Sequence, residues 1–256
     1  MTRWLTALIP GRRRKPVAPR PRIVLKNDFA ALYAIGDVHG CLEQLCEIEE
    51  KILRDGAGLT GTKLIVLVGD YVDRGPSSAG VIEHLLRPLP VGFQRICLAG
   101  NHDQMFLDFI DHPALSSSWL GLGGDETLSS YGVYLDRQSQ HQLKSTLTAS
   151  IPQDHIEFIK SLPVMAMVGQ YGFVHAGIDP RLSPDQQPDD ILLNSRPHQF
   201  DWSLYDGKDI IIHGHTPVPE VEFSNSRINI DIKTYQSGRS AALRIVDSGM
   251  TVLLTG

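Results

Sequence analysis

Cysteine is scarce in this chain: 256 residues hold three, Cys41, Cys46 and Cys97. So odd and sparse a set builds no disulfide framework and fits a reducing compartment. Cys41 and Cys46 stand five apart in a segment that reads as helix, poor spacing for a metal, and Cys97 sits in an apolar run that reads as core. Long apolar runs are missing too. No stretch reaches ~18 uninterrupted apolar residues, so no transmembrane helix is expected. Trp4–Pro10 is apolar but short, the cluster Arg12–Lys15 follows rather than precedes it, and no small-residue cleavage site comes after. A secretory signal is therefore not expected, and a cytoplasmic location is. No internal repeat is present.

Positive charge is missing from most of the sequence. Residues 1–26 hold eight of the 24 Lys and Arg and no acid, which leaves residues 27–256 with 16 basic against 29 acidic side chains, a net of −13 compared with −5 for the whole chain. An acidic body argues against nucleic acid as a partner. Residues 1–22, with Pro10, Pro16, Pro19 and Pro21, read as a basic, disordered arm. Weak contact with an anionic membrane is its alternative role. Residues 23–256 read as one domain, with 113–163 a helical insertion that covers one side of it.

What the chain does have is a set of short apolar runs that end in polar, metal-binding types. Ala31–Ile35, Leu64–Val68, Ile96–Ala99, Gly172–Val174 and Ile210–Ile212 lead into Gly-Asp-Val-His-Gly (36–40), Gly-Asp-Tyr-Val-Asp-Arg-Gly (69–75), Gly-Asn-His-Asp (100–103), Val-His-Ala-Gly (174–177) and His-Gly-His-Thr (213–216). Such runs read as buried strands that deliver side chains at their C-terminal ends. Between the first three runs lie the helical patterns Leu42–Asp55 and Ser77–Leu86, and the β-α-β-α-β order predicts parallel strands with crossover helices. Ligands bind beyond the carboxyl ends of such strands. Beyond Pro163 the chain turns β-rich, interrupted by 178–208, which reads as a long loop.

The donor chemistry follows from the residue types. Asp37 and His39, two apart, share a face of an extended strand. Gly36 and Gly40 beside them allow a tight turn. The Asp70 carboxylate can bridge two cations. Asn101 offers a neutral oxygen, and His175 and His215 offer imidazoles. Six N and O donors without sulfur suit Mn, Fe, Ni or Zn and suffice for two divalent ions. Mn is the expected metal. Paired ions of this kind acidify a bridging water, whose hydroxide attacks phosphorus directly without a phosphoenzyme. His102, next to Asn101, is free to protonate the leaving group, with Asp73 to orient it. Arg74 offers a fork for phosphate oxygens. His213 reads as a supporting hydrogen-bonding histidine.

The blocks Gly-Asp-Val-His-Gly, Gly-Asp-Tyr-Val-Asp-Arg-Gly and Gly-Asn-His-Asp resemble the signature of the PPP family of serine/threonine phosphoprotein phosphatases, its bacterial and phage-type members above all, over about residues 31–246. The resemblance implies an α/β calcineurin-like metallophosphoesterase fold, a central β-sandwich flanked by helices with a dinuclear metal site at the strand ends. It implies that Asp37, His39 and Asp70 hold one metal, and that Asp70, Asn101, His175 and His215 hold the other. Trp119–Gly132 and Gly238-Arg239 with Ala241–Leu243 resemble bacterial members as well. A second phosphate arginine is expected at Arg196, in Leu192-Leu193-Asn194-Ser195-Arg196, with Arg181 as the alternative. The chain departs from the pattern at Asp103, where Glu is common, and at Ile232-Lys233, where Thr-Gly is expected after Asn229-Ile230-Asp231. The expected activity is hydrolysis of phosphoserine and phosphothreonine in proteins. The alternatives are hydrolysis of dinucleoside tetraphosphates, a tyrosine-directed or small-molecule phosphatase, and a binding protein built on the same fold without catalysis.

Overall fold

The computed structural model describes residues 19–137 and 139–256. The first half runs β1 (Arg22–Leu25), β2 (Ala31–Ile35), α1 (Leu42–Gly56), β3 (Lys63–Leu67), α2 (Ser78–Leu86), β4 (Phe93–Cys97) and α3 (Asn101–Asp111). Helices α4 (Gly124–Ser130), α5 (Gln140–Ser150) and α6 (Gln153–Ser161) follow. The second half runs β5 (Met165–Val168), β6 (Tyr171–Val174), α7 (Asp189–Asn194), β7 (Ile210–His213), β8 (Glu222–Phe223), β9 (Arg227–Asn229), α8 (Thr234–Ser237), β10 (Ala241–Val246) and β11 (Gly249–Leu254). Among the described residues no helix is long and apolar enough to cross a membrane.

The strands form two sheets, ordered β11-β10-β2-β3-β4 and β1-β5-β6-β7-β9-β8. β2, β3 and β4 are parallel, as their helical crossovers require, and β10 closes antiparallel on β2. β2 and β3 are buried at every position because both faces are covered. Strand alternation sorts their side chains. Leu32, Ala34, Leu64 and Val66 pack between the sheets against Ala166, Phe173, Ile212 and Ile228. Tyr33, Ile35, Ile65 and Leu67 face the other way, in the cluster that holds Leu45, Ile48 and Ile52 of α1 and Val81 and Ile82 of α2. The spacing of Leu45, Ile48 and Ile52 is one helical stripe, which seats α1 on that face. The result is the expected sandwich flanked by helices.

Residues 113–163 contain α4, α5 and α6, and α4 and α6 pack on α2. The stretch 178–208 departs from the loop reading. It contains α7 and three short 3-10 turns, and Leu192 and Leu193 of α7 are buried. Elements of two to six residues give too little periodicity to be revealed in sequence. The same holds for α8 and β8.

The boundary of the N-terminal arm also differs. Residues 1–18 lie outside the described residues, but Arg20 and Arg22 belong to the body. Arg20 donates from Nη1 to the carbonyls of Ile159 (2.9 Å) and Leu162 (3.1 Å) and from Nε and Nη2 to Gln104 Oε1 (3.2 and 2.8 Å). Its amide donates to Asp189 Oδ2 at 2.8 Å, and Arg22 Nη2 reaches Asp189 Oδ1 at 2.7 Å. Carbonyls at the end of α6 have no helical partner, so a guanidinium suits them. Composition counts eight cations near the N-terminus and does not say which of them dock. Arg20→Ala leaves these carbonyls and Gln104 without that donor. It should cost ~2 kcal/mol and lower the melting temperature by roughly 4–8 °C, measured against the wild-type full chain; an unchanged melting temperature would return Arg20 to the arm.

Candidate metal centre

Five chain segments leave the strands on one side of the sandwich and meet where the two sheets adjoin. Asp70, just beyond β3, sits at their centre. Its Oδ2 lies 3.4 Å from His39 Nε2, and its Oδ1 lies 3.5 Å from His175 Nε2 and accepts the His102 amide at 2.9 Å. The carboxylate thus faces residues from both sheets. His39 Nδ1 donates to the Val72 carbonyl (2.9 Å) and His175 Nδ1 to the Val68 carbonyl (3.0 Å). Those bonds fix the tautomers and turn each Nε2 toward Asp70. Asn101 Oδ1 is 2.9 Å from His175 Nε2 and 3.0 Å from His215 Nδ1. Asp37 accepts the His215 amide at 3.2 Å, and its Oδ2 is 3.9 Å from His39 Nε2. The structure therefore brings all six expected ligands together.

Close backbone approach makes this convergence possible. At Gly36 a Cβ would collide with the Ile230 carbonyl of the other sheet, so this glycine serves contact rather than a turn. Gly40, at φ +64°, does serve the turn. Among the described residues six non-glycine positions have positive φ: His39, Asp70, Asp73, Arg74, His215 and Lys233. The first five are predicted site residues. Each such conformation costs ~1–3 kcal/mol and persists only where the surroundings impose it. Part of that support comes from Asp103, which accepts the amides of Gly100 (2.8 Å), Asp70 (2.9 Å) and Tyr71 (2.9 Å). Sequence reading noted Asp103 only as a departure from Glu. Its shorter side chain caps α3 and clamps two ligand loops.

The donor set fits a pair of divalent cations. Asp37, Asp70, Asp103 and Asp231 are all buried. Burial, then Asp231 and Asp70, drive Asp37 well above the usual carboxylate range. Burial pushes Asp70 up to about 6, and burial with the charge of Asp70 pushes Asp103 up to about 7. The imidazoles are held neutral. His39 lies well below its ordinary value through burial, then His102 and Arg74; His175 does so through burial, then His215. His215 is lowered to about 4 by burial, then by Arg196. Crowded carboxylates and unprotonated imidazoles are the state in which a cation is bound. Among the described residues two groups of donors stand out, His39–Asp70–His102 and Asp70–His175–His215, the donor atoms of each lying within 4.8 Å of one another. His102 is the odd member: its Nδ1 is 2.6 Å from Asp73 Oδ2 and its Nε2 is 3.1 Å from Arg74 Nη2, so both ring nitrogens are engaged. Asp37 is the better third donor beside His39.

Asp73 holds His102 within a dense polar shell. Its Oδ2 also accepts Trp119 Nε1 at 2.7 Å, its Oδ1 accepts Thr127 Oγ1 at 2.7 Å, and its amide donates to Thr127 Oγ1 at 2.8 Å. The Trp119–Gly132 segment, which carried no role in the sequence beyond its resemblance, thus fixes the partner of His102. Burial opposes charge on His102, but Asp70 and the Asp73 hydrogen bond raise it above its ordinary value. The Arg74 contact suits the neutral ring instead. An anion that draws Arg74 away would leave Nε2 free to carry a proton. Arg196 is exposed at the rim, and its charge is felt at His215. Arg181 is committed to Asp179, Nε–Oδ1 2.9 Å and Nη2–Oδ2 2.6 Å. His213 stands apart from the donors, with Nδ1 3.1 Å from the Gly214 carbonyl and Nε2 3.4 Å from Arg227 Nη1.

The sequence profile of calcineurin-like phosphoesterases matches residues 31–250. A bis(5'-nucleosyl)-tetraphosphatase PrpE [asymmetrical] from Oceanobacillus iheyensis is 29% identical over 216 residues, 77% of this chain and 81% of the relative. A crystal structure provisionally assigned as a diadenosine tetraphosphatase superposes with a TM-score of 0.64 at 22% identity, covering 92% of this chain and 98% of that one. A protein serine/threonine phosphatase from Saccharomyces cerevisiae gives 0.58 at 16% identity, covering 92% and 84%. These two superpositions speak for the shared fold.

The polar shell of His102 sets the test of its role. His102→Ala should lower kcat about 10²–10⁴-fold on phosphoesters with poor leaving groups, the range for a lost general acid, with metal content unchanged. The loss should be smaller on nitrophenyl phosphate, whose leaving group needs no proton. Equal loss on both, or loss of a metal, would make His102 a ligand.

Proposed function

The chain belongs to the calcineurin-like phosphoesterase family, and within it we propose that the protein is a metal-dependent hydrolase of dinucleoside tetraphosphates that cleaves them unequally. The observation that carries this reading is the likeness to the asymmetrical tetraphosphatase over 81% of that relative's length, alongside a donor set with no expected ligand missing. It replaces phosphoprotein as the first-choice substrate. Asymmetry in a four-phosphate chain means release of a nucleoside triphosphate and a nucleoside monophosphate.

Two divalent ions, when held by Asp37, His39, Asp70, Asn101, His175 and His215, supply Lewis acidity that activates water and neutralises phosphate oxygens. The remaining roles fall to the chain. Arg74, drawn from His102 onto the substrate, holds phosphate oxygens through its fork. Arg196 approaches the same phosphate from the rim beside His215. His102, oriented through Nδ1 by Asp73, presents Nε2 to the departing oxygen. Thr127 and Trp119 keep Asp73 from turning away.

Phosphomonoesters are a second reading, favoured by the Asp73–His102 pair. An alkoxide leaving group needs a proton, whereas a phosphate leaving from an anhydride needs one far less. A buried acid held at 2.6 Å suits the harder task.

Metal-loaded protein should convert diadenosine tetraphosphate to ATP and AMP, with kcat/KM above that for phosphoserine, phosphothreonine and phosphotyrosine peptides. Chelation should abolish turnover and Mn should restore it. Faster peptide turnover would select the monoesterase, and two ADP as products would remove the asymmetry. Arg74→Ala and Arg196→Ala should each raise the inhibition constant of inorganic phosphate roughly 10–100-fold, as loss of a charge-assisted contact does. An unchanged constant in Arg196→Ala and a raised one in Arg181→Ala would move the second clamp to Arg181.

A further inference from the structure

A second concavity shares a wall with the metal centre. It holds about 360 Å³ and is lined by Gly40, Cys41, Gln44, Ser77 and Tyr235, among others, between the start of α1 and α8. That volume falls within the ~300–1,000 Å³ of small-molecule sites. Tyr235 is the shared wall. Its ring centroid is 4.6 Å from Arg74 Cζ and 5.4 Å from the His39 ring, and the same residue lines the cavity. Among the described residues its hydroxyl has no hydrogen-bond partner, and the side chain is only half-buried. Among the described residues no Lys or Arg lines the cavity, and Glu43 is the single charged residue there. The space therefore suits a neutral group with an aromatic face and hydrogen-bonding edges, not a second run of phosphates.

Backbone strain fixes this wall in place. Lys233 takes φ +58° and ψ +52°, at the position where the family resemblance leads one to expect glycine. Its amide donates to Asp231 Oδ1 at 2.9 Å, and the turn it makes starts α8, which carries Tyr235. A side chain that accepts the left-handed region at this point puts an aromatic ring beside Arg74.

We propose that this cavity is the nucleoside subsite of the substrate. With a phosphate on Arg74, the attached nucleoside enters beside Tyr235, its base against the cavity side of the ring and its polar edges toward Gln44 and Ser77. Stacking of a base on an aromatic ring tolerates any base, so the site should favour nucleotides over other phosphates without choosing strongly among bases. The inference rests on the dinucleotide reading above, but its test does not.

Adenosine 5'-monophosphate and ribose 5-phosphate should be compared as competitive inhibitors of nitrophenyl phosphate turnover by the metal-loaded full chain. The two share a phosphate and a sugar and differ in the base. The nucleotide should inhibit about tenfold more tightly. That advantage should disappear in Tyr235→Leu and persist in Tyr235→Phe, which keeps the ring. Equal inhibition by the two ligands in the wild-type protein, or an advantage that survives Tyr235→Leu, overturns the proposal. If Tyr235→Leu does not fold, the wild-type ratio decides. If the nucleotide advantage depends on Tyr235 but diadenosine tetraphosphate is not cleaved, the subsite stands and the tetraphosphatase reading falls.

Discussion

The architecture turns on the burial of Asp70 between residues of both sheets. Its two oxygens face His39 from one sheet and His175 from the other, and one of them also takes the amide that opens α3. A carboxylate buried among other carboxylates is unfavourable unless positive charge comes with it. The fold answers with neutral imidazoles whose outer nitrogens are tied to backbone carbonyls, leaving the inner nitrogens as donors. The donor set is therefore built into the packing of the two sheets, and the strand ends have little freedom to relax away from it.

That constraint explains where the backbone is irregular. His39, Asp70, Asp73, Arg74 and His215 all occupy the left-handed region, which regular strands and helices avoid. The sandwich supplies the stabilisation through side chains sorted to one face or the other, and the loops at its end accept strain to aim their functional groups. Asp103 is the link between these two parts: it caps a regular helix and holds the irregular loops by their amides. A longer Glu at this position would have to fold back to make the same contacts.

The His102–Asp73 pair is organised differently from the six expected ligands. The six expected ligands stand directly at strand ends or at the head of α3. His102 and Asp73 instead depend on side chains from the helical segment, with Trp119 and Thr127 46 and 54 residues beyond Asp73. This segment packs on α2 and also completes the hydrogen bonding of Asp73. The two arginines are likewise set by context: Arg74 rests on Tyr235 and touches His102, while Arg196 is exposed and its charge is felt at His215.

The sequence by itself determined the donor types, their order and the strands that lead into them. Apolar runs closed by glycine have a period and a length that survive as local signals, and Asp, Asn and His next to those glycines have few other reasons to occur four times. Parallel order followed from the helices between the runs. What only the tertiary structure decided are contacts with no local signature. That Arg20 and Arg22 dock on the body, that Trp119 and Thr127 hold Asp73, and that Tyr235 lies against Arg74 all depend on segments far apart in the chain. Hydrogen bonds and ring contacts across such separations are chosen by shape and burial after the sheets have closed, and composition or periodicity carries no record of them.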